Sequence, residues 1–275
     1  NLLSTPFNVI MTLLAIWFLW SIIPPIFEWA VLDSVWTAES RKACWAKMEV
    51  PEGAACWAFI KDRIGLYTYG FYPADSRWRV NLSFVLLVLA IVSVLYENMP
   101  GRKYGLCYAV AFPFITGWLL VGGLGLTPVD TDQFGGIMLT FIIGISGISF
   151  SLPIGILLAL GRRSKLPVIR ILCVLIIEFI RGVPLIALLL IASTMLNYFL
   201  PPGTVFDLLI RVLIMVILFQ SAYIAEVIRG GLQGIPNGQY EAADSLGLTY
   251  AKANLLIILP QALKISIPGI VNTFI

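Results

Sequence analysis

Long apolar runs separated by short polar segments make up most of the chain. A helix needs about 20 apolar residues to cross a bilayer, and runs of that order lie near residues 8–27, 81–96, 106–126, 136–160, 168–199 and 207–228. The runs lack the alternation of a membrane barrel, and backbone polar groups in lipid must be satisfied within their own segment. The pattern therefore predicts an all-α polytopic membrane bundle. A last run after residue 263 has about half the length of a span, so we expect further chain beyond it.

Composition excludes several function classes. Of the 275 residues, 59% are hydrophobic and 12% are charged, the mean hydropathy is +0.93, and histidine is absent. Without imidazole, the chain cannot build histidine metal sites or Ser-His and Cys-His nucleophile pairs. It lacks a G-x-x-x-x-G-K-[ST] phosphate loop, and its formal charge of +3 includes no basic run that indicates nucleic acid. We therefore predict no catalytic residue, no metal site and no cofactor on this chain.

Charges in the short connections predict the orientation of the bundle. Basic residues lie in two connections and acidic residues in a third: Arg102 and Lys103; Arg162, Arg163 and Lys165; Asp130 and Asp132. Cytoplasmic loops are enriched in Lys and Arg, so the two basic connections are expected inside. This orientation places the amino terminus and residues 229–262 in the cytoplasm and residues 28–80 outside.

The external loop contains a short repeat with one cysteine in each copy, "ACWA" at 43–46 and again at 55–58. In an oxidising periplasm Cys44 and Cys56 could form a disulfide. Two buried free cysteines beside tryptophans are the alternative, and the sequence leaves both open.

The chain is predicted to divide near residue 132. Residues 1–132 form an accessory region of membrane helices with the loop at 28–80, and residues 133–275 form the working core. The core opens with a glycine-rich helix, and small residues let membrane helices approach closely. Its glycines are Gly135, Gly136, Gly144, Gly147 and Gly155.

An acidic and a basic residue lie deep within the apolar run at 168–199. Glu178 and Arg181 are three residues apart, on one face of a helix. A charge at membrane depth costs at least about 2.5 kcal/mol, so the pair should face a partner or a water-filled cavity. Either the two residues line a translocation path for a zwitterion, or they form an ion pair that locks the helix to a neighbour. Gly182 and Pro184 follow directly and should loosen the helix.

Polar residues on other helices complete the predicted path. Gln220 and Tyr223 are placed to reach it, and Thr140 could add a hydroxyl unless it bonds its own backbone. Glu226 and Arg229, toward the end of the same helix as Gln220, are predicted to be interfacial and structural.

A polar stretch at residues 239–261, the EAA segment, is patterned as a helix, a glycine and a second helix. Pro236 and Asn237 signal the start, Gly247 ends the first helix, and Thr249 can cap a second helix running toward Pro260. An apolar stripe is predicted to dock into a groove on another protein: Ala243, Leu246, Tyr250, Ala253 and Ile257. A hairpin on the lipid surface is the alternative, but such helices are rich in Lys and Arg.

These residues carry a resemblance to a known family. Glu241-Ala242-Ala243, Gly247, Ile257 and Leu259-Pro260 resemble the EAA signature of membrane subunits of bacterial ABC importers. "YIAEVIRGGLQGIPNGQYEAADSLGL" and "EFIRGVPL" are similar to the polar amino acid permease branch. "CWAFIKDRIGLYTYGFYPADSRWRVNL" and "GLGLTPVDTDQFGGIMLT" are similar to the general L-amino acid permease, M-type subunit. Val183 stands where that subfamily often has threonine, so no hydroxyl contact is carried over.

The resemblance implies a MetI-like core in the bacterial inner membrane and a set of partners. These are a paralogous Q-type permease subunit, two ATPase subunits that hold ATP and Mg, and a periplasmic protein that delivers L-amino acids. It also implies that the EAA segment is the coupling helix, its residues Glu241, Ala242, Ala243, Leu246, Gly247, Ile257, Leu259 and Pro260. An autonomous secondary transporter or channel gated by Glu178 and Arg181, or a scaffold without substrate, are the competing hypotheses.

Overall fold

The computed structural model describes residues 2–47, 53–96, 101–195, 198, 201 and 206–274, and the elements in them are helices. The chain forms two compact units, residues 1–68 and 69–275. Within the described ranges, six helices are long and apolar enough to cross a membrane, and a bent helix pair is a seventh candidate. The six are Pro6–Leu32, Ala74–Leu95, Arg102–Val121, Gly136–Arg162, Leu208–Gln233 and Tyr250–Phe274. The predicted all-α membrane bundle is thereby confirmed.

The first unit contains one long apolar helix and two short ones. They are α1 (Pro6–Phe27), extended by a π-helical turn at Glu28–Leu32, then α2 (Arg41–Lys47) and α3 (Trp57–Tyr69). A disulfide joins Cys44 to Cys56, with Cα atoms 6.3 Å apart. Trp57 Nε1 donates to the Ala30 carbonyl at 2.6 Å. The disulfide thus links α2 to the residue before α3. The sequence left open whether these cysteines are bonded or free, and in the structure they are bonded.

The second unit contains the remaining helices. In chain order they are α4 (Arg77–Leu95), α5 (Arg102–Val121), α6 (Gly136–Arg162), α7 (Pro167–Gly182), α8 (Leu185–Leu190), α9 (Leu208–Gln233), α10 (Asn237–Ser245), α11 (Tyr250–Ala253) and α12 (Leu259–Phe274). Helix α9 is central, because α6, α7, α8 and α12 all pack against it.

The helix predicted over 168–199 is broken after Gly182, and this confirms the predicted loosening at Gly182 and Pro184. Helix Pro167–Gly182 and helix Leu185–Met195 meet at a bend of 102°. Val183 and Pro184 between them have extended backbone. A residue before proline is pushed away from helical angles, and proline itself has no N–H to donate. The predicted end at residue 199 lies outside the described residues.

The second helix of the EAA segment does not end near Pro260. Helix α11, a π-helical turn at Asn254–Ile258 and α12 follow one another without a break, so one span runs over Tyr250–Phe274. The predicted start of the last apolar run after 263 is corrected in the same way. Local π-helical adjustment lets a membrane helix accommodate a proline, and here the π-helical turn directly precedes Leu259 and Pro260. Residue 275 lies outside the described residues.

Buried residues at the end of α6 form the main core with α7, α9, the π-helical turn and α12. They are Ala159, Ile177, Ile224, Ala225, Ile228, Leu232, Ile235, Ile258 and Ala262. A second cluster lies near the start of α6 and joins it to α4 and α5: Tyr72, Val80, Leu120, Val129, Phe134 and Met138. The Tyr72 hydroxyl donates to the Leu120 carbonyl at 2.8 Å, and burial raises the pKa of this phenol.

The second cluster bears on the predicted division of the chain. Val80 and Leu120, from the predicted accessory region, pack with Phe134 and Met138 from the predicted core. The compact units are divided at 68/69, and the division at 132/133, with residues 1–132 as an accessory region, stays a prediction about function.

Glycines on α6 permit a close approach to α9 at particular positions only. A Cβ at Gly155 would lie 2.7 Å from the Ile224 side chain and 3.1 Å from the Ser221 carbonyl oxygen. At Gly147 it would lie 3.3 Å from Val216, whereas at Gly144 it would meet no atom within 4 Å. The predicted close packing thus applies to Gly147 and Gly155 against α9, and to Gly135, where a Cβ would lie 3.0 Å from the Gly70 Cα.

This difference supplies a matched pair of variants. Gly155→Ala is expected to lower the free energy of unfolding by about 1–3 kcal/mol, because the methyl group forces α6 and α9 apart. Gly144→Ala is expected to leave stability unchanged or raise it slightly, because alanine favours helix and the site is open. Thermal unfolding of the detergent-purified protein measures both, and equal effects would show that the α6 and α9 contact is not the cause.

Candidate functional site

Five charged side chains meet where α6 ends and α7 and α9 pass beside it; we call them the charged cluster. Glu226 accepts from three arginines: Arg162 Nη1 at 2.6 Å, Arg229 Nε at 2.9 Å and, as an ion pair, Arg181 Nη1 at 3.7 Å. Arg162 Nη1 also donates to Glu178 at 2.8 Å. Three guanidinium groups and two carboxylates leave the cluster with one net positive charge.

Of the two alternatives for Glu178 and Arg181, the ion pair between them is not formed, because each binds a residue of another helix. These contacts join α7 to its neighbours, and the role in a translocation path stays a prediction. Glu178 pairs with Arg162 of α6, and Arg181 pairs with Glu226 of α9. The i, i+3 spacing on one helix shows that two charged side chains can form an ion pair. It does not show whether a residue of a neighbouring helix is a better partner. Glu226 is that partner, since its side chain is only 15% exposed, whereas that of Glu178 is 54% exposed. Sequence reasoning had assigned Glu226 a structural role and Arg162 only a role in orientation.

The other predicted path residues lie in different places. The Arg181 guanidinium is 5.5 Å from the centre of the Tyr223 ring, so Tyr223 borders the charged cluster. Gln220 Nε2 donates to the Thr273 carbonyl at 2.5 Å and thereby joins α9 to α12. Thr140 donates to its own helix at Gly136 and lies 22 residues from Arg162, about 33 Å along α6. The structure thus brings Tyr223 to the cluster and does not bring Thr140.

The first helix of the EAA segment, α10, ends in a Schellman motif. Gly247 has a φ of +66°, its N–H donates to the Asp244 carbonyl at 2.9 Å, and the Leu248 N–H donates to the Ala243 carbonyl at 3.2 Å. This left-handed conformation favours glycine, as the sequence predicted. Among the described residues, a Cβ at Gly247 would meet no atom within 4 Å beyond its chain neighbours, and Glu241 is exposed on α10.

The predicted docking stripe is divided between two environments. Ala243 and Ala253 are buried, and Ile257 is half-buried against the main core. Leu246 and Tyr250 are 73% and 63% exposed. The stripe is therefore wrong as one continuous surface, because two of its members are buried within the chain and α10 packs on the π-helical turn after α11. Leu255 and Leu256 are also exposed, Pro260 is exposed and Leu259 is half-buried.

An arginine outside the EAA segment binds α10. Arg163, directly after α6, donates from Nη1 to the Leu232 carbonyl at 2.9 Å and to the Tyr240 hydroxyl at 3.1 Å. Its guanidinium carbon lies 5.6 Å from the centre of the Tyr240 ring. The sequence does not predict this contact. Its one indication is that a second arginine, Arg163, follows Arg162.

The fold and this arrangement define a class of protein: a multi-pass helical membrane protein with an exposed EAA segment beside a charged cluster. Residues 151–275 match the family described as "Binding-protein-dependent transport system inner membrane component". Over its whole length the chain is 50% identical to the inner membrane amino-acid ABC transporter permease protein YhdY of Escherichia coli, covering 74% of it. The chain therefore belongs to the amino-acid ABC transporter permeases.

Two further comparisons accompany this match. The whole chain is 43% identical to the glutamate/glutamine/aspartate/asparagine transport system permease protein BztC of Rhodobacter capsulatus and covers 77% of it. A chain in a crystal structure of an amino acid ABC transporter with histidines is 34% identical, with a TM-score of 0.44 over 50% of the present chain and 64% of that chain.

Family membership confirms the resemblance and its main consequences. The chain is a permease subunit of an amino-acid ABC importer, with a MetI-like core, and it is a multi-pass protein of the inner membrane. It is a component of a transport system. Its family works with ATPase and binding-protein partners.

Proposed function

We propose that the chain forms part of the translocation path of an ATP-driven L-amino acid importer, with the charged cluster at its inner end. The observation that carries the proposal is that the cluster and the EAA segment share one core. Ile177 of α7, Ile228 of α9 and Ile258 of the EAA segment are buried together, with Tyr240 packed against them. A partner that displaces the EAA segment would therefore displace the helices that carry the charges.

The chemistry of the cluster suits amino acid substrates. Arg181 and Tyr223 present a guanidinium and an aromatic face, and Glu178 is the most exposed carboxylate of the cluster. The net positive charge favours a solute with a carboxylate. BztC is named for two acidic amino acids and their amides, and we extend that range to this chain as the first substrates to test.

The proposed partners follow from the resemblance. They are a paralogous Q-type subunit, with this chain as the M-type, two ATP-binding subunits that hold ATP and Mg, and a periplasmic amino acid binding protein. The cytoplasmic side holds the amino terminus, the charged cluster and the EAA segment. Arg162, Arg163 and Lys165 support this orientation because they lie at that end of the bundle.

The proposed coupling surface consists of exposed residues of the EAA segment between Glu241 and Gly247. Glu241, Leu246 and Gly247 face outward on or beside α10 and are placed to meet the ATPase. Ala242 is also exposed, whereas Ala243 and Ile257 hold the segment on the permease. ATPase closure would then pull α10 and move α6, α7 and α9 through the shared core.

An autonomous transporter or channel gated by Glu178 and Arg181 is not favoured, because the family is one of ABC permeases and the two side chains bind other helices. Proteoliposomes separate the two functions. We expect the complete complex to accumulate labelled L-glutamate or L-glutamine only with ATP and binding protein, and this chain alone to accumulate none. Uptake by this chain alone, or uptake by the complex that is independent of ATP, would contradict the proposed function.

A further inference from the structure

Two consecutive arginines at the end of α6 bind in different directions. Arg162 binds the charged cluster through Glu178 and Glu226. Arg163 binds α10 through the Tyr240 hydroxyl and the end of α9 through the Leu232 carbonyl. Adjacent Cα atoms are held about 3.8 Å apart by a planar peptide, so Arg163 cannot move far without moving Arg162.

The contact between Arg163 and Tyr240 has two components. The hydroxyl accepts a hydrogen bond from Nη1, and the guanidinium lies over the ring at 5.6 Å from its centre. The ring of Tyr240 also packs against the main core. A displacement of α10 therefore acts on Arg163 directly and on the core through the same side chain.

We propose that Tyr240, Arg163 and Arg162 form a mechanical link that transmits displacement of α10 to the ion pairs of Glu226 and Glu178. Arg163 and Tyr240 are positioning residues in this link, since neither needs to touch the substrate. The proposal rests on the proposed function. It adds that the ion pairs change when α10 moves, which a role in stability alone does not require.

The test uses the complete transporter in proteoliposomes, with amino acid uptake and ATP hydrolysis measured in the same preparation. Tyr240→Phe keeps the ring and removes the hydroxyl, which accepts from Arg163 at 3.1 Å and donates to the Leu232 carbonyl at the long distance of 3.5 Å. We expect uptake per ATP hydrolysed to fall about threefold, in line with the loss of one net hydrogen bond, that to Arg163, at an accessible site. Arg163→Met removes the hydrogen bonds and the ring contact, and we expect a loss of about tenfold. ATP hydrolysis itself should stay close to that of the wild type.

A matched control is available on the same helix. Gln261 Nε2 donates to Gln239 Oε1 at 3.1 Å, a contact that joins α10 to α12 and does not involve the arginines. Gln239→Ala is expected to leave uptake per ATP unchanged. In an Arg163→Met background, Tyr240→Phe should cause little further loss, because coupled residues are not additive.

The possible outcomes are distinct. If Tyr240→Phe lowers only the thermal stability of the complex and leaves uptake per ATP unchanged, the link is structural and the proposal is overturned. The proposal is also overturned if the double variant loses uptake per ATP by the product of the two single losses. An equal loss in Gln239→Ala and Tyr240→Phe would overturn it as well. These results require a wild-type complex whose uptake depends on ATP, so failure of the proposed function would already be visible in the wild type.

Discussion

Glu226→Gln is expected to lower the free energy of unfolding by about 3 kcal/mol and to abolish ATP-driven uptake. The carboxylate is 15% exposed and binds Arg162, Arg181 and Arg229. Removing one member of a buried ion pair costs about 3–5 kcal/mol, because the remaining charges stay desolvated and unpaired. We take the lower end since the arginines are between 23% and 35% exposed. Thermal unfolding of the purified complex and uptake in proteoliposomes measure the two effects.

Glu178→Gln is the matched control. It changes a carboxylate of the same cluster to the same amide, but this side chain is 54% exposed and binds only Arg162, which retains Glu226. An exposed ion pair contributes about 0–1 kcal/mol, so we expect a stability loss below 1 kcal/mol. If Glu178→Gln proves the more damaging of the two, Glu226 is not the centre of the cluster.

Gly247→Asp is expected to reduce uptake at least tenfold while the permease still assembles in the membrane. The position has a φ of +66°, and an added Cβ meets no atom of the described residues within 4 Å beyond its chain neighbours. Within the chain a substitution therefore costs only backbone strain, about 1–2 kcal/mol for an ordinary residue. A loss of uptake larger than this strain explains would come from the aspartate side chain, which would stand between α10 and the ATPase. Uptake, ATP hydrolysis and the amount of assembled complex are the quantities to measure.

Alanine and asparagine at Gly247 separate the two causes. Asparagine adopts left-handed backbone more readily than alanine, but it is larger. If the ATPase approaches closely, we expect uptake to fall in the order Ala, Asn, Asp. If asparagine instead preserves uptake better than alanine does, glycine is needed only for the helix end, and a close approach by the ATPase is contradicted.

Local features of the sequence were sufficient for most of the membrane helices and for the end of α10. Runs of apolar residues predicted the spans because a membrane leaves a backbone few alternatives to a helix. Pro184 predicted a weakened helix, and Gly247 predicted a helix end, because each acts through its own backbone angles. The EAA signature predicted the family because its residues and their spacing lie within one segment of the sequence.

Contacts between distant segments were not available from the sequence. The i, i+3 spacing of Glu178 and Arg181 allowed a pair, yet both bind other helices. Ala243 was placed on a docking stripe but is buried. In each case the packing of α6, α7, α9 and α10 determined which residues the side chain contacts.

The sequence by itself thus determined an all-α membrane chain, its family and the glycine that ends α10, because these depend on hydrophobicity and on local backbone preference. Only the tertiary structure decided that Glu226 gathers three arginines, that the run after Pro167 bends by 102°, and that Arg163 reaches Tyr240. The physical reason is that a charged side chain takes the partner with the best geometry among all helices around it. That choice depends on three-dimensional packing, which the order of residues along one helix does not specify.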